Sequence, residues 1–318
     1  MCRIKELKTK EETEKYFRAF QGEQSRLPAF LHDDAHYNTV SVLYIKGRKA
    51  AGLAFGVMQE DDSNFYLHYL RLGRYAQGQE EVVDFTGKLF DFVRENREAR
   101  KVVMSIEQLD DSVPDYVAVL KEIPDVSVEK MVFIRQVGVD TKNFDHFRTF
   151  HWYCPDLMGR KGYEAIPLEE CSKQWQEDLH EKEQRGDVPA DYLSPGLWEK
   201  EWEYDAGTSY ILVKKGDNVP LGWIVTQRMT EKAVKIRRFY IYDEARLLRL
   251  GPSFSTWVLE QIEKRYESLW FEVQKGNRQM EMFTNHYCRP ILSFDFFKCY
   301  INISLRRKKD GMDTGKTE

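Results

Sequence analysis

Apolar residues recur at two periods along the chain, and the two periods alternate. "CRIKEL" near the start has the alternation of a strand, and the charged "KEETEKYFRAF" after it has the spacing of an amphipathic helix. Thr39 to Gln59 predicts two strands joined by a turn at Lys46-Gly47-Arg48. "SNFYLHYLRLG" predicts another strand. Val82, Phe85, Leu89, Phe92 and Val93 then mark one face of a helix over Gln79 to Asn96. A short apolar strand "KVVMSIE", a short helix "DYVAVLKEI" and a closing strand "EKMVFIRQVGV" complete this half.

The same order returns further on. "GYEAIPL" predicts a strand, "CSKQWQEDLHEKEQRG" a polar helix, and "TSYILVKKGDNVPLGWIVTQRM" a hairpin with Gly216-Asp217-Asn218 at its tip. "AVKIRRFYIY" is the next strand. The helix Ser253 to Tyr266 carries Phe254, Trp257, Val258 and Ile262 on one stripe. "SLWFEVQ" is a strand, Arg278 to His286 is helical, and "CYINISLRR" is the last strand. The repeat is one of order and spacing, not of letters. It predicts two tandem α+β domains, 1–150 and 151–307, each a mixed, mostly antiparallel central sheet flanked by helices. The boundary falls within Asp140 to Gly162, whose aromatics predict packing against a domain. Residues 308–318 hold almost nothing apolar and are expected to be a disordered tail.

Composition narrows the function. With a net charge of −4 the chain as a whole does not advertise nucleic-acid binding and any polyanion site must be a local patch, so no nucleic-acid partner is expected. No apolar run reaches the length of a membrane span, and the N-terminus lacks a signal-peptide core. Five scattered cysteines, never in a C-x-x-C pair, point to reduced thiols and a cytoplasmic location. His32 and His36 stand four apart in "HDDAH", but no third ligand accompanies them, so no metal is expected.

The chemistry-bearing stretch is "YIYDEARLLRLGPSF", Tyr240 to Phe254, a strand passing into a helix. A helix start offers unsatisfied N–H groups and the positive end of the dipole, which together attract anions. Arg246, Arg249, Lys275 and Arg278 add positive charge nearby in sequence. Pro252 suits a first helical turn, although it removes one donor.

With these residues the second half resembles the GNAT superfamily of acyl-CoA N-acyltransferases. That family has a strand, a [Q/R]-x-x-G-x-[G/A] turn and a helix that holds the CoA pyrophosphate. Ile241 ends the strand, Arg246 takes the Q/R place and Gly251 the final small place, while Arg249 stands where the first glycine would be. Val273-Gln-Lys-Gly-Asn277 matches the family's later strand and helix-opening asparagine. The resemblance implies acetyl-CoA or a related acyl-CoA as co-substrate. Arg246, Gly251, Ser253 and Asn277 would contact it, with Leu248, Arg249 and Leu250 supplying loop backbone. It also implies transfer of the acyl group to a primary amine, on a small molecule or peptide, by direct attack.

Two departures follow. The family's tyrosine acid falls on Thr284, and Tyr287, one turn later, is the candidate substitute. In the first half, Gly73, Ala76 and Gly78 trace a looser version of the turn, which implies a degenerate copy that has lost CoA. Glu231, Asp243, Glu272 and Glu281 are carboxylates near the site, and His286 is a weak base candidate; none stands out by spacing. The acids and aromatics of Asp191 to Gly207 would suit a cationic acceptor or pack on the sheet. The same features leave open a non-catalytic GNAT-fold binding protein. A Fem-type aminoacyl transferase also uses paired GNAT folds, but the acidic net charge disfavours a tRNA substrate.

Overall fold

The computed structural model describes residues 2–22, 39–59, 63–73, 75–76, 78–170, 172–185 and 204–306. The elements of the first half are β1 (Cys2–Glu6), α1 (Lys10–Gln21), β2 (Thr39–Lys46), β3 (Lys49–Gln59), β4 (Asn64–Leu72), α2 (Gln79–Arg97), β5 (Lys101–Gln108), α3 (Tyr116–Glu122) and β6 (Val126–Asp140). Two short helices, α4 (Asp145–Arg148) and α5 (Leu157–Arg160), follow. The second half has β7 (Tyr163–Pro167), α6 (Lys173–Gln184), β8 (Tyr210–Lys214), β9 (Asp217–Arg228), β10 (Ala233–Ile241), α7 (Asp243–Leu247), α8 (Leu250–Glu263), β11 (Ser268–Gln274), α9 (Arg278–Phe283) and β12 (Leu292–Leu305). This is the α+β order that the periodicity predicts.

The chain forms two compact units, Met1–Phe133 with Phe297–Glu318, and Ile134–Phe296. In the first, β1 to β4 pair antiparallel in sequence order, β4 pairs β5 in parallel, and β12 closes the sheet antiparallel to β5. In the second, β7 to β10 pair antiparallel, β10 pairs β11 in parallel, and β6 closes the sheet antiparallel to β11. Each unit is therefore closed by the strand that sequence order assigns to the other half. The reason lies in the apolar positions of the strands. Cys299, Ile301, Ile303 and Leu305 pack into the first core, and Val137 and Val139 into the second. The segment from Asp140 to Gly162 belongs to the second unit, where Phe144, Phe147 and Met158 are buried.

Helices cover both faces of each sheet. Phe85, Leu89, Phe90 and Val93 of α2 sit in the main core of the first unit, while Phe17 of α1 packs on Leu43, Leu53 and Phe55 in another. In the second unit Phe254, Val258 and Ile262 of α8 are buried in the main core, with Trp175 of α6 packed against Ile211, Trp223 and Val225 elsewhere. Each such side chain contributes about 1.5–3 kcal/mol on leaving water. Among the described residues, no helix is long and apolar enough to cross a membrane.

Candidate active site

The site begins where two parallel strands part. β10 and β11 pair only from Ala233 to Ile236 and from Ser268 to Phe271, although both strands run further. At the same point the register of β10 against β9 skips Arg237. Such a bulge bends a strand and leaves its extra residue unpaired in the ladder. β10 and β11 thus cease to pair before the ends from which α7 and α9 emerge.

Glu272 lies just beyond the last paired residue. Lys235 Nζ donates to its Oε1 at 2.6 Å, and Gln136 Nε2 donates to the same oxygen at 2.9 Å. Burial opposes the charge on Glu272. The hydrogen bond and charge of Lys235, the Gln136 bond and the charge of Arg237 outweigh it and hold the carboxyl below its usual range. This ion pair fixes adjacent strands and leaves Glu272 a weak base at neutral pH.

The predicted phosphate turn contains a helical turn of its own, α7. Arg246 in its last turn donates to Asp243 Oδ1 at 3.2 Å, and its guanidinium lies 5.6 Å from the Tyr240 ring centre. Arg249 follows with φ 56° and ψ 36°, the left-handed conformation that favours glycine. An arginine thus holds a backbone conformation that favours glycine. Leu248 is partly exposed and its carbonyl accepts from Lys161 Nζ at 2.7 Å, whereas Ile241 and Leu250 are buried beneath the turn. A Cβ on Gly251 would meet only Ile241 Cγ1, at 3.7 Å, so internal packing does not demand glycine there.

Ser253 is fully buried. Its Oγ accepts from the Met158 N–H at 2.8 Å and donates to the Pro155 carbonyl at 3.2 Å, which ties the helix start to the α5 segment. No acidic side chain lies in the first turn of α8, and none caps it. The corresponding helix of the first unit differs. There Lys46 Nζ donates to Glu81 Oε1 at 2.6 Å, and a Cβ on Gly78 would come within 2.5 Å of Glu81 Oε2. Lys46, by hydrogen bond and charge, together with the backbone N–H groups of Glu81 and Gly78, holds this carboxyl below its usual range. The α2 start is already occupied by an internal anion.

After β11, Asn277 caps α9. Its Oδ1 accepts from the Met280 N–H at 3.2 Å, and Glu281 Oε1 accepts from the Gly276 N–H at 2.9 Å. Thr284 begins a π-helical turn, Thr284–Cys288, and is fully buried; its hydroxyl finds no partner among the described residues. Tyr287 is half-buried. Its ring packs edge-on to Phe150 at 4.8 Å and Trp152 at 5.3 Å, with His286 4.7 Å away. His146 Nε2 donates to the Tyr287 carbonyl at 3.0 Å.

Ile241, Ala245 and Leu250 belong to one buried core, and Tyr287 packs against it. Asn277 stands at the same end of the sheet as Ile241, because β10 and β11 are parallel. His32, His36 and Asp191 to Glu203 lie outside the described residues. Among the described residues no cluster of side chains could hold a metal ion. Sequence reasoning missed the Lys235–Glu272 pair and the occupied α2 start. Lys46 and Glu81 lie 35 positions apart, so only the folded sheet reveals them together.

A tandem GNAT protein from the clavulanic acid biosynthesis pathway superposes with a TM-score of 0.58 at 11% identity, covering 95% of this chain and 98% of that one. The fold is that of a tandem GNAT protein. A GCN5-related N-acetyltransferase from Sphaerobacter thermophilus gives a TM-score of 0.55 at 10% identity, with 96% of both chains covered. A glucosamine N-acetyltransferase region of a fungal multi-domain β-N-acetylglucosaminidase gives 0.57 at 9% identity, covering 95% of this chain and 38% of that one. No protein-family model and no curated protein matches the sequence. At these identities the shared property is the GNAT fold, present here in both units.

Proposed function

We propose that the second unit binds acetyl-CoA or a related acyl-CoA and transfers the acyl group to a primary amine of a small molecule or peptide. The observation that carries this reading is the contrast between the two helix starts. The α2 start holds the carboxylate of Glu81, whereas the first turn of α8 has no acidic side chain and is flanked by Arg246 and Arg249. A pyrophosphate complements only the second arrangement. Backbone groups from Leu248 to Gly251, together with Arg246 and Arg249, would hold the diphosphate. Asn277 would order the facing turn, and Ser253 would anchor the helix from below.

In this reading the amine attacks the thioester carbon directly, the tetrahedral intermediate collapses, and the C–S bond breaks. The departing thiolate needs a proton, and Tyr287 is assigned as its donor. Glu272, held ionised by Lys235, positions the strands; the amine's proton passes to water, and water returns one to the Tyr287 phenolate. Acetyl-CoA should raise the melting temperature of the full chain, and Gly251→Trp should abolish the rise. Release of free CoA thiol in the presence of amines then tests turnover. No thermal shift at millimolar acetyl-CoA sinks the reading.

A second reading, binding without turnover, is favoured by Thr284. The position where the family tends to carry its acid holds a fully buried threonine. A thermal shift without thiol release against any amine would select it.

A further inference from the structure

One short segment holds the turn before α8 from both sides. Pro155 to Lys161, which includes α5, lies in the same unit as that turn. Behind the turn, the Met158 N–H donates to Ser253 Oγ at 2.8 Å, and that hydroxyl donates to the Pro155 carbonyl at 3.2 Å. Ahead of it, Lys161 Nζ donates to the Leu248 carbonyl at 2.7 Å. Arg249, Leu250, Gly251 and Pro252 are bracketed between the two ties. The ties differ in kind. Ser253 is fully buried, so its bonds belong to the packing of α8. The Lys161 bond is exposed, and among the described residues no carboxylate forms an ion pair with its ammonium. This tie adds little to the core, and its effect falls on the turn.

That effect follows from the peptide it grips. The Leu248–Arg249 peptide is a rigid plane, so a bond on its carbonyl also sets the direction from which the chain enters Arg249. Arg249 stands at φ 56°, a conformation that an arginine keeps only under outside support. Its own N–H is spent on the Arg246 carbonyl at 2.9 Å. Pro252 has no N–H. The donors left in the first turn are those of Leu250, Gly251 and Ser253, and the first two follow Arg249 directly. We infer that Lys161 is a positioning residue for the diphosphate turn: by holding the Leu248 carbonyl it fixes the entry to Arg249, and with it the aim of the Leu250 and Gly251 N–H groups. The inference rests on the acyl-CoA reading of this site and adds to it a residue from outside the turn and its helix.

The test is calorimetric titration of acetyl-CoA into the full chain and its Lys161 variants. Lys161→Met should weaken acetyl-CoA by about fivefold or more. Lys161→Arg, which can donate to the same carbonyl, should restore the affinity. Acetyl-3′-dephospho-CoA keeps the diphosphate and should show the same loss in Lys161→Met. The melting temperature of the unliganded variants should stay that of the unmodified chain, because the tie is exposed. Affinity indifferent to Lys161→Met overturns the inference, as does equal weakness of Lys161→Arg. A loss that vanishes with acetyl-3′-dephospho-CoA also overturns it, since Lys161 then serves the 3′-phosphate. Absence of binding by the unmodified chain is the separate result that removes the acyl-CoA reading, and this inference with it.

Discussion

Lys46 Nζ lies 2.6 Å from Glu81 Oε1, and this ion pair seals the first turn of α2 with a carboxylate from the helix itself. A carboxylate already standing at a helix start opposes a phosphate there by like charge. The expected outcome is a single acetyl-CoA per chain by equilibrium titration, with affinity unchanged by Glu81→Ala. Two equivalent sites in the unmodified chain would refute the assignment. The folded carboxyl of Glu81 titrates below its usual range. Its contribution to stability is therefore present above the unfolded value, near 4.5, and is lost as pH falls through the lower folded value.

Arg249 has two properties that one substitution separates. Its left-handed backbone costs about 1 kcal/mol relative to glycine. Its charge stands at the proposed pyrophosphate site. Arg249→Gly should therefore raise stability in urea unfolding by about 0.5–1 kcal/mol and also weaken acetyl-CoA. A variant that is neither more stable nor weaker in binding would deny both properties.

The sequence made much of this legible, and particular residues show where legibility ended. The apolar run in "TVSVLYIK" and the stripe of Phe254, Val258 and Ile262 are local signals, so elements and their order can be read directly. Strand partnership is a long-range choice among similar apolar strands. Nothing local in "CYINISLRR" says that Ile301 lies opposite Met104. The α8 turn was visible because its residues are contiguous. Whether Arg249 would take the glycine conformation was not, because only the surrounding fold can impose it on an arginine.

Lys235 and Glu272 offer a test of the second unit's strand pairing. Lys235→Met leaves a carboxylate facing a mostly buried, apolar neighbour. About 2–3 kcal/mol of destabilisation is expected, discounted from a fully buried pair because 32% of the Glu272 side chain stays exposed. Adding Glu272→Met should recover much of the loss. The unmodified protein should also lose the pair's contribution as pH falls below about 4.5, through the depressed folded value of Glu272. Equal loss in the single and double variants would show that the pair is not coupled.

Tyr287 is where turnover and binding part company. A phenol that protonates the departing thiolate acts only as the C–S bond breaks, so its removal should act on kcat and leave KM in place. Tyr287→Phe keeps the ring and its edge-on contacts with Phe150 and Trp152. Stability should therefore change by about 0.5 kcal/mol or less. The expected kinetic result is a fall of about 10²-fold or more in kcat, measured as thiol release with whichever amine proves to be accepted. A Thr284→Ala variant controls for the neighbouring turn: its buried hydroxyl lacks a partner, so its loss should leave kcat intact. If Tyr287→Phe turns over at the unmodified rate, water or another group protonates the thiolate, and the tyrosine is only part of the aromatic packing.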